Sequence, residues 1–256
     1  MSNLLEGKTA LILGIANKWS LAYAIAQAFW REGASLILTY LGDRQKVAIE
    51  EMAAGQKVLG IWPCDVTKEE DLANLKQSLA TLGRPLDAVI HSLAFANRDD
   101  LSRPFVETQR DGFLLAQEVS AYSLVAVARA TVPAMTNGGA LMTLTYLGST
   151  RVVPNYNVMG VAKASLEASV RYLASDLGPQ RVRVNAISAG PVKTASARAV
   201  KDFTTILDYV AQRSPLRRNT DPAEVADTAV FLASDLGRGV TANILFVDAG
   251  IQIMGL

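Results

Sequence analysis

The 256-residue chain has little chemistry of several kinds. It carries one cysteine and one histidine. A lone Cys64 rules out an intramolecular disulfide and fits a reducing compartment. With His91 as the sole imidazole, a zinc site would need several carboxylates, and no ligand spacing supplies them, so metal catalysis is set aside. No run is long and apolar enough to span a bilayer. Residues 1–8 lack the basic region and apolar run of a secretory signal, which makes the cytoplasm the expected location. Charge of one sign is lacking too. Lys and Arg number 25 and Asp and Glu 24, a formal net charge of +1, which gives no support for nucleic-acid or acidic-membrane binding. No linker, internal repeat or low-complexity segment divides the chain, so one domain over 1–256 is expected.

What is present is apolar and periodic. Half of the residues are hydrophobic, ample for one large core. Short apolar runs at 9–13, 35–40, 58–62, 86–91, 140–144, 182–187 and 244–247 read as strands. Helical spacing follows Ser20 up to Gly33, and recurs at 44–54, 68–82, 156–177 and 222–234, with Asp221 as N-cap of the last. Strands alternating with helices predict an α/β fold, a Rossmann-like doubly wound parallel sheet with helices on both faces. Several strands are continuously apolar, as burial on both faces requires.

In such a sheet, ligands bind beyond the carboxyl ends of the strands. The first strand-to-helix turn runs from Gly14 to Ala22. Glycine permits the tight turn, and free amides at the helix N-terminus can hold a pyrophosphate. Only Gly14 of the usual glycine-rich fingerprint is present, and an ordinary strand-ending turn would use it equally well. After the second strand, Asp43 points to the free ribose of NADH, whereas Arg44 could accept the extra phosphate of NADPH. Both could equally be solvated residues that open the next helix.

The sharpest feature is Tyr146, Tyr156 and Lys163. Tyr156 and Lys163 are seven apart, nearly two helical turns, and share a face about 10 Å apart along the axis. A tyrosine hydroxyl can donate to an enolate oxygen as hydride reaches the β-carbon of an unsaturated thioester. A lysine can hold ribose hydroxyls, and its charge favours an anionic phenolate nearby.

The motif does not stand alone. The stretches Leu144-Thr145-Tyr146-Leu147-Gly148, Val153 to Glu167, Val182 to Pro191, and Pro215-Leu216-Arg217-Arg218 resemble bacterial enoyl-acyl-carrier-protein reductases, divergent members of the short-chain dehydrogenase/reductase family. The resemblance covers nearly the whole chain. Ordinary short-chain dehydrogenases place three residues between tyrosine and lysine, not six, and carry an Asn-Asn-Ala-Gly type loop where His91-Ser92-Leu93-Ala94 stands here.

The resemblance implies reduction of a trans-2-enoyl thioester on acyl carrier protein in type II fatty-acid synthesis. It favours NADH as the donor, with NADPH as the alternative. It implies that Tyr156 polarises the thioester carbonyl, that Lys163 binds the nicotinamide ribose, and that Tyr146 lines the acyl pocket with Ala94. Gly14, Ser20 and Leu21 would hold the pyrophosphate, Asp65 and Val66 the adenine, Ser92 the cofactor-side loop, Val192 the carboxamide, and Thr194 the pyrophosphate. His91 reads as a structural residue at a strand end. A substrate lid is expected at 195–213, with Arg198 and Lys201 as candidate docking residues for the acidic carrier protein, although Thr204 and Thr205 replace basic residues of some relatives. Ala242-Asn243 stands where relatives commonly have glycine. The apolar tail 251–256 fits a subunit contact in a homotetramer. Carbonyl reduction on the same scaffold and dinucleotide sensing without turnover are the rival readings.

Overall fold

The computed structural model describes residues 3–194 and 203–255. Its strands are β1 Thr9–Leu13, β2 Ser35–Tyr40, β3 Val58–Pro63, β4 Ala88–His91, β5 Gly139–Thr145, β6 Val182–Ala189 and β7 Ile244–Val247. They form one parallel sheet in the order β3-β2-β1-β4-β5-β6-β7. The helices among the described residues are α1 Leu21–Arg31, α2 Asp43–Met52, α3 Glu69–Ala80, α4 Arg98–Ser102, α5 Arg110–Gln117, α6 Ser123–Thr131, α7 Asn157–Leu177, α8 Phe203–Arg213 and α9 Pro222–Ala233.

The two-residue period of a strand sorts its side chains to opposite faces. Ala10 and Ile12 of β1 pack with α1, Ile49 of α2 and α9, while Leu11 and Leu13 pack with α3, α6 and α7. Both faces are therefore covered, which accounts for the unbroken apolar runs. The strand order reverses between β1 and β4, opening the crevice at the carboxyl edge where such sheets bind ligands.

Helix ends follow local chemistry. Ser20 caps α1, its hydroxyl accepting from the Tyr23 amide at 3.3 Å. Asp221 and Glu224 form a capping box on α9, with Pro222 in its first turn. Arg218 of the Pro215–Arg218 motif grips Glu224, so that arginine holds the start of α9.

Apolar spacing marks no element between residues 95 and 135. There the structure has α4, α5, a π turn at Glu118–Tyr122 and α6. The π turn inserts a residue into the helical register and so breaks the apolar spacing. The π turn buries Ser120, and the start of α6 buries Ser123, where the pattern calls for apolar residues. β4 starts at Ala88 rather than at 86, because the Leu86 amide donates to the Ala134 carbonyl instead of the ladder.

Ala242 sits at φ +59° just before β7. That is left-handed backbone, which a Cβ disfavours and a glycine would adopt freely.

Candidate active site

The predicted site residues converge at the carboxyl edge of the sheet. Gly14 follows β1, Asp65 and Val66 follow β3, Ser92 and Ala94 follow β4, Tyr146 follows β5, and Val192 and Thr194 follow β6. Ser20 and Leu21 open α1, and Tyr156 and Lys163 belong to the start of α7.

Gly14 follows β1 beside the end of its parallel neighbour β4, with φ +97°. A Cβ there would stand 2.0 Å from the Ser92 carbonyl oxygen. No other residue type fits without moving the loop after β4, so Gly14 is required by the tight turn and by a close backbone approach that the sequence alone does not show. Beyond it, Lys18, Ser20, Pro191, Val192, Leu207 and Thr220 line a cleft of about 360 Å³. Two predicted cofactor residues, Ser20 and Val192, thus share one wall system. Thr220 Oγ1 is buried there without a hydrogen-bond partner. The first turn of α1, a backbone with no room for a side chain, and an unsatisfied hydroxyl together fit the phosphates of a dinucleotide.

Asp65 is engaged in its own turn, accepting from the Thr67 amide at 3.1 Å and its hydroxyl at 2.7 Å. Burial pushes its pKa up, but the Thr67 bonds and the Lys68 ammonium outweigh it and leave the carboxyl below its ordinary value. Val66 packs partly buried on the core. Ala94 is exposed, and Thr194 donates its amide to the Val192 carbonyl at 2.8 Å.

His91 is wholly buried. Its ring nitrogens lie 2.9 Å from Thr143 Oγ1 and 2.8 Å from Ser123 Oγ. Burial, with the Lys163 charge, pushes its pKa down to about 3. It is a neutral structural group beneath the site, as the sequence reading has it.

The tyrosines form an edge-to-face pair with ring centroids 5.1 Å apart and planes at 70°, a favoured aromatic geometry. Tyr146 extends directly from β5. Tyr156 is the N-cap of α7 rather than its first helical residue. It lies between Asn155 at φ +60° and Asn157 at φ +35°, and asparagine tolerates this left-handed backbone better than most residues. Gly148 makes room for the ring, since a Cβ there would meet Tyr156 Cδ1 at 2.4 Å. The motif contained Gly148, but only the fold shows what presses on it. Leu101, Met159 and Ala162 form a small apolar cluster against which Tyr156 and Ala96 pack.

Lys163 is buried, and its ammonium donates to the Leu144 carbonyl at 2.8 Å. Burial lowers its pKa to about 8, against the raising effect of Glu167. One expectation fails here. Lys163 was expected to favour a phenolate, yet burial first, then Tyr146 and Glu167, push the Tyr156 phenol well above its ordinary range. Burial likewise lifts Tyr146 to about 12. Both hydroxyls remain protonated donors at neutral pH, the form a developing enolate needs.

Of the expected lid, residues 203–213 form α8, which buries Leu207 and Val210 and gives Leu207 to the cleft wall. Residues 195–202, with the docking candidates Arg198 and Lys201, lie outside the described residues. Cys64 is a buried free thiol, raised to about 12 by burial and nearby Asp71 and Asp65. No helix among the described residues is long and apolar enough to cross a membrane.

Fold and site together define a nicotinamide-dinucleotide-dependent oxidoreductase of the short-chain dehydrogenase/reductase class. The family model described as "Enoyl-(Acyl carrier protein) reductase" matches residues 14–252. The "Enoyl-[acyl-carrier-protein] reductase [NADH] FabI" of Bacillus cereus is 55% identical, with 98% of this chain and 99% of that protein covered. The Staphylococcus aureus (strain MRSA252) protein of the same name, but "[NADPH]", is 48% identical over 97% of this chain and 98% of its own length. The crystal structure of the Bacillus cereus reductase with NADP+ and an indole naphthyridinone superposes with a TM-score of 0.96 at 54% identity, covering 99% of each chain. The Anaplasma phagocytophilum reductase in complex with NAD gives 0.95 at 45% identity, with 99% and 97% covered. The chain belongs to the enoyl-(acyl carrier protein) reductase family.

Proposed function

We propose that the enzyme reduces the carbon–carbon double bond of trans-2-enoyl thioesters carried by acyl carrier protein, with NADH as the donor, in type II fatty-acid synthesis. The observation that carries this is the edge-to-face Tyr146–Tyr156 pair at the start of α7, with the Lys163 side chain nearly two turns along.

The bound nicotinamide would supply hydride to the β-carbon of the substrate. Tyr156 then donates a hydrogen bond to the thioester oxygen, where enolate charge develops, and a proton drawn from solvent adds at the α-carbon to give the saturated thioester. The raised pKa of Tyr156 keeps its own proton in place for that hydrogen bond. Lys163 holds the nicotinamide ribose hydroxyls. Tyr146 and Ala94 line the acyl pocket. Gly14, Ser20, Leu21 and Thr194 hold the pyrophosphate, Ser92 the cofactor-side loop, Val192 the carboxamide, and Asp65 with Val66 the adenine. The segment 195–213 closes over the acyl chain and excludes water.

Asp43, in the first turn of α2, favours NADH over NADPH. The family contains relatives named for either cofactor, and exposed Arg44 keeps NADPH as the second reading. The exposed apolar residues Ile253 and Met254 of the tail support a homotetramer. A cytoplasmic location agrees with the buried free thiol.

Oxidation of NADH and NADPH with crotonyl-thioester and acetoacetyl-thioester tests the proposal. Turnover of crotonyl-thioester alone is expected. Turnover of acetoacetyl-thioester alone would make the enzyme a carbonyl reductase, and cofactor binding with neither turnover would make it a sensor.

A further inference from the structure

α7 buries a second charged side chain one turn beyond Lys163. Glu167 is 7% exposed and Lys163 5%. Glu167 Oε1 accepts from Thr145 Oγ1 at 2.6 Å. Thr145 ends β5, between Leu144, whose carbonyl receives the Lys163 ammonium, and Tyr146. Successive turns of α7 therefore grip successive residues of one strand end. A neutral glutamine would hold the Thr145 hydroxyl equally well, so the hydrogen bond alone does not explain a buried carboxylate. What the charge adds is a field on the ammonium at i−4.

We propose that Glu167 is a positioning residue whose buried carboxylate keeps the Lys163 ammonium charged and whose bond to Thr145 fixes the strand end carrying Tyr146. This rests on the reading of Lys163 as the ribose-holding group.

The other groups around Lys163 leave the effect to Glu167. His91 on β4 is neutral through the working range. Tyr156 and Tyr146 stay protonated. Asp248, after β7, bears on Tyr146 and is held by the Gly250 and Gln252 amides. On α4, Asp100 is engaged by Asn97 and Arg103. On β6, Arg183 turns to the carbonyls of Leu232 and Gly237. Arg110 and Asp111 on α5 and Glu118 in the π turn are exposed. Lys163, lowered to about 8, is thus the site group that titrates in mildly alkaline solution.

The test is NADH affinity by fluorescence titration across pH, with kcat/KM profiles alongside. Glu167→Gln keeps an acceptor for Thr145 and removes only the charge. Its alkaline midpoint should fall by about one pH unit, weakening NADH binding about five-fold near pH 8 and hardly near pH 6. Thr145→Val keeps the charge, so its midpoint should stay while kcat drops. A loss of affinity in Glu167→Gln that is equal at every pH, with the midpoint unmoved, would overturn the proposal. So would a midpoint that falls in Thr145→Val, a result readable even if the glutamine variant does not fold. Lys163→Ala separates the two failures. Parent-like NADH binding in that variant would remove the assignment of Lys163, and with it the proposal. Weak binding there beside an unmoved Glu167→Gln midpoint would remove the role of Glu167 alone.

Discussion

α7 and α9 pack on opposite faces of the same sheet, and they are built differently. The buried residues of α9 are all apolar, Val225, Ala226, Ala229, Val230 and Leu232, and a capping box closes its N-terminus. α7 buries Lys163 and Glu167 among its apolar residues, and its N-cap Tyr156 makes no side-chain capping bond. One helix is arranged for stability. The other gives up a cap and desolvates two charges in order to present a phenol and an ammonium at the carboxyl edge. The difference singles out α7 as the helix that places ionisable groups at the candidate site.

Substitutions can break or sharpen that contrast. The largest effect should come from Tyr156→Phe, which removes the donor to the enolate. It should lower kcat about 10²–10³-fold with crotonyl-thioester while leaving the melting temperature nearly unchanged. Leu166→Ala, wholly buried on the core side of α7, should do the reverse in kind. It should cost about 2–5 kcal/mol in chemical denaturation, because the cavity cannot fully collapse.

The imidazole beneath the site gives a pH signature. His91 is held neutral, with its pKa lowered from 6.5 to about 3. Below the unfolded value the unfolded chain binds the extra proton. Stability should therefore fall as pH drops from 6.5 toward 3, with a slope from this residue of up to about 1.4 kcal/mol per pH unit. Denaturation curves at several pH values, compared with those of His91→Asn, would isolate that slope.

On the side of α9 the effects should be small and silent in catalysis. Asp221→Ala should cost about 1 kcal/mol through the lost cap. Ala242→Gly should stabilise by about 1 kcal/mol, since relief of the left-handed strain exceeds the added chain entropy. Both variants should keep the parental kcat.

Much of this was legible in the sequence where one physical signal dominated. The bounds of β1, β2 and β7 follow from apolar runs between turns, and the Ser20 and Asp221 caps follow from residue type. The clustering of the candidate site was legible where spacing and resemblance met, at Tyr146, Tyr156 and Lys163. The connection through α4 to α6 was not legible, because the π turn shifts the register and Ser120 is spent on both backbone groups of Phe95. Nor was Glu167. An acidic residue in a helix normally reads as solvated, and only the pairing of α7 with β5 brings Thr145 to it. The burial that raises the Tyr156 pKa is likewise encoded by no local pattern.

The most direct test is a crystal structure with NAD bound. The account predicts the Lys163 ammonium within about 3.2 Å of a nicotinamide ribose hydroxyl, with the Tyr156 hydroxyl facing the space beside the ring. A bound cofactor whose nicotinamide lies away from both side chains would contradict it.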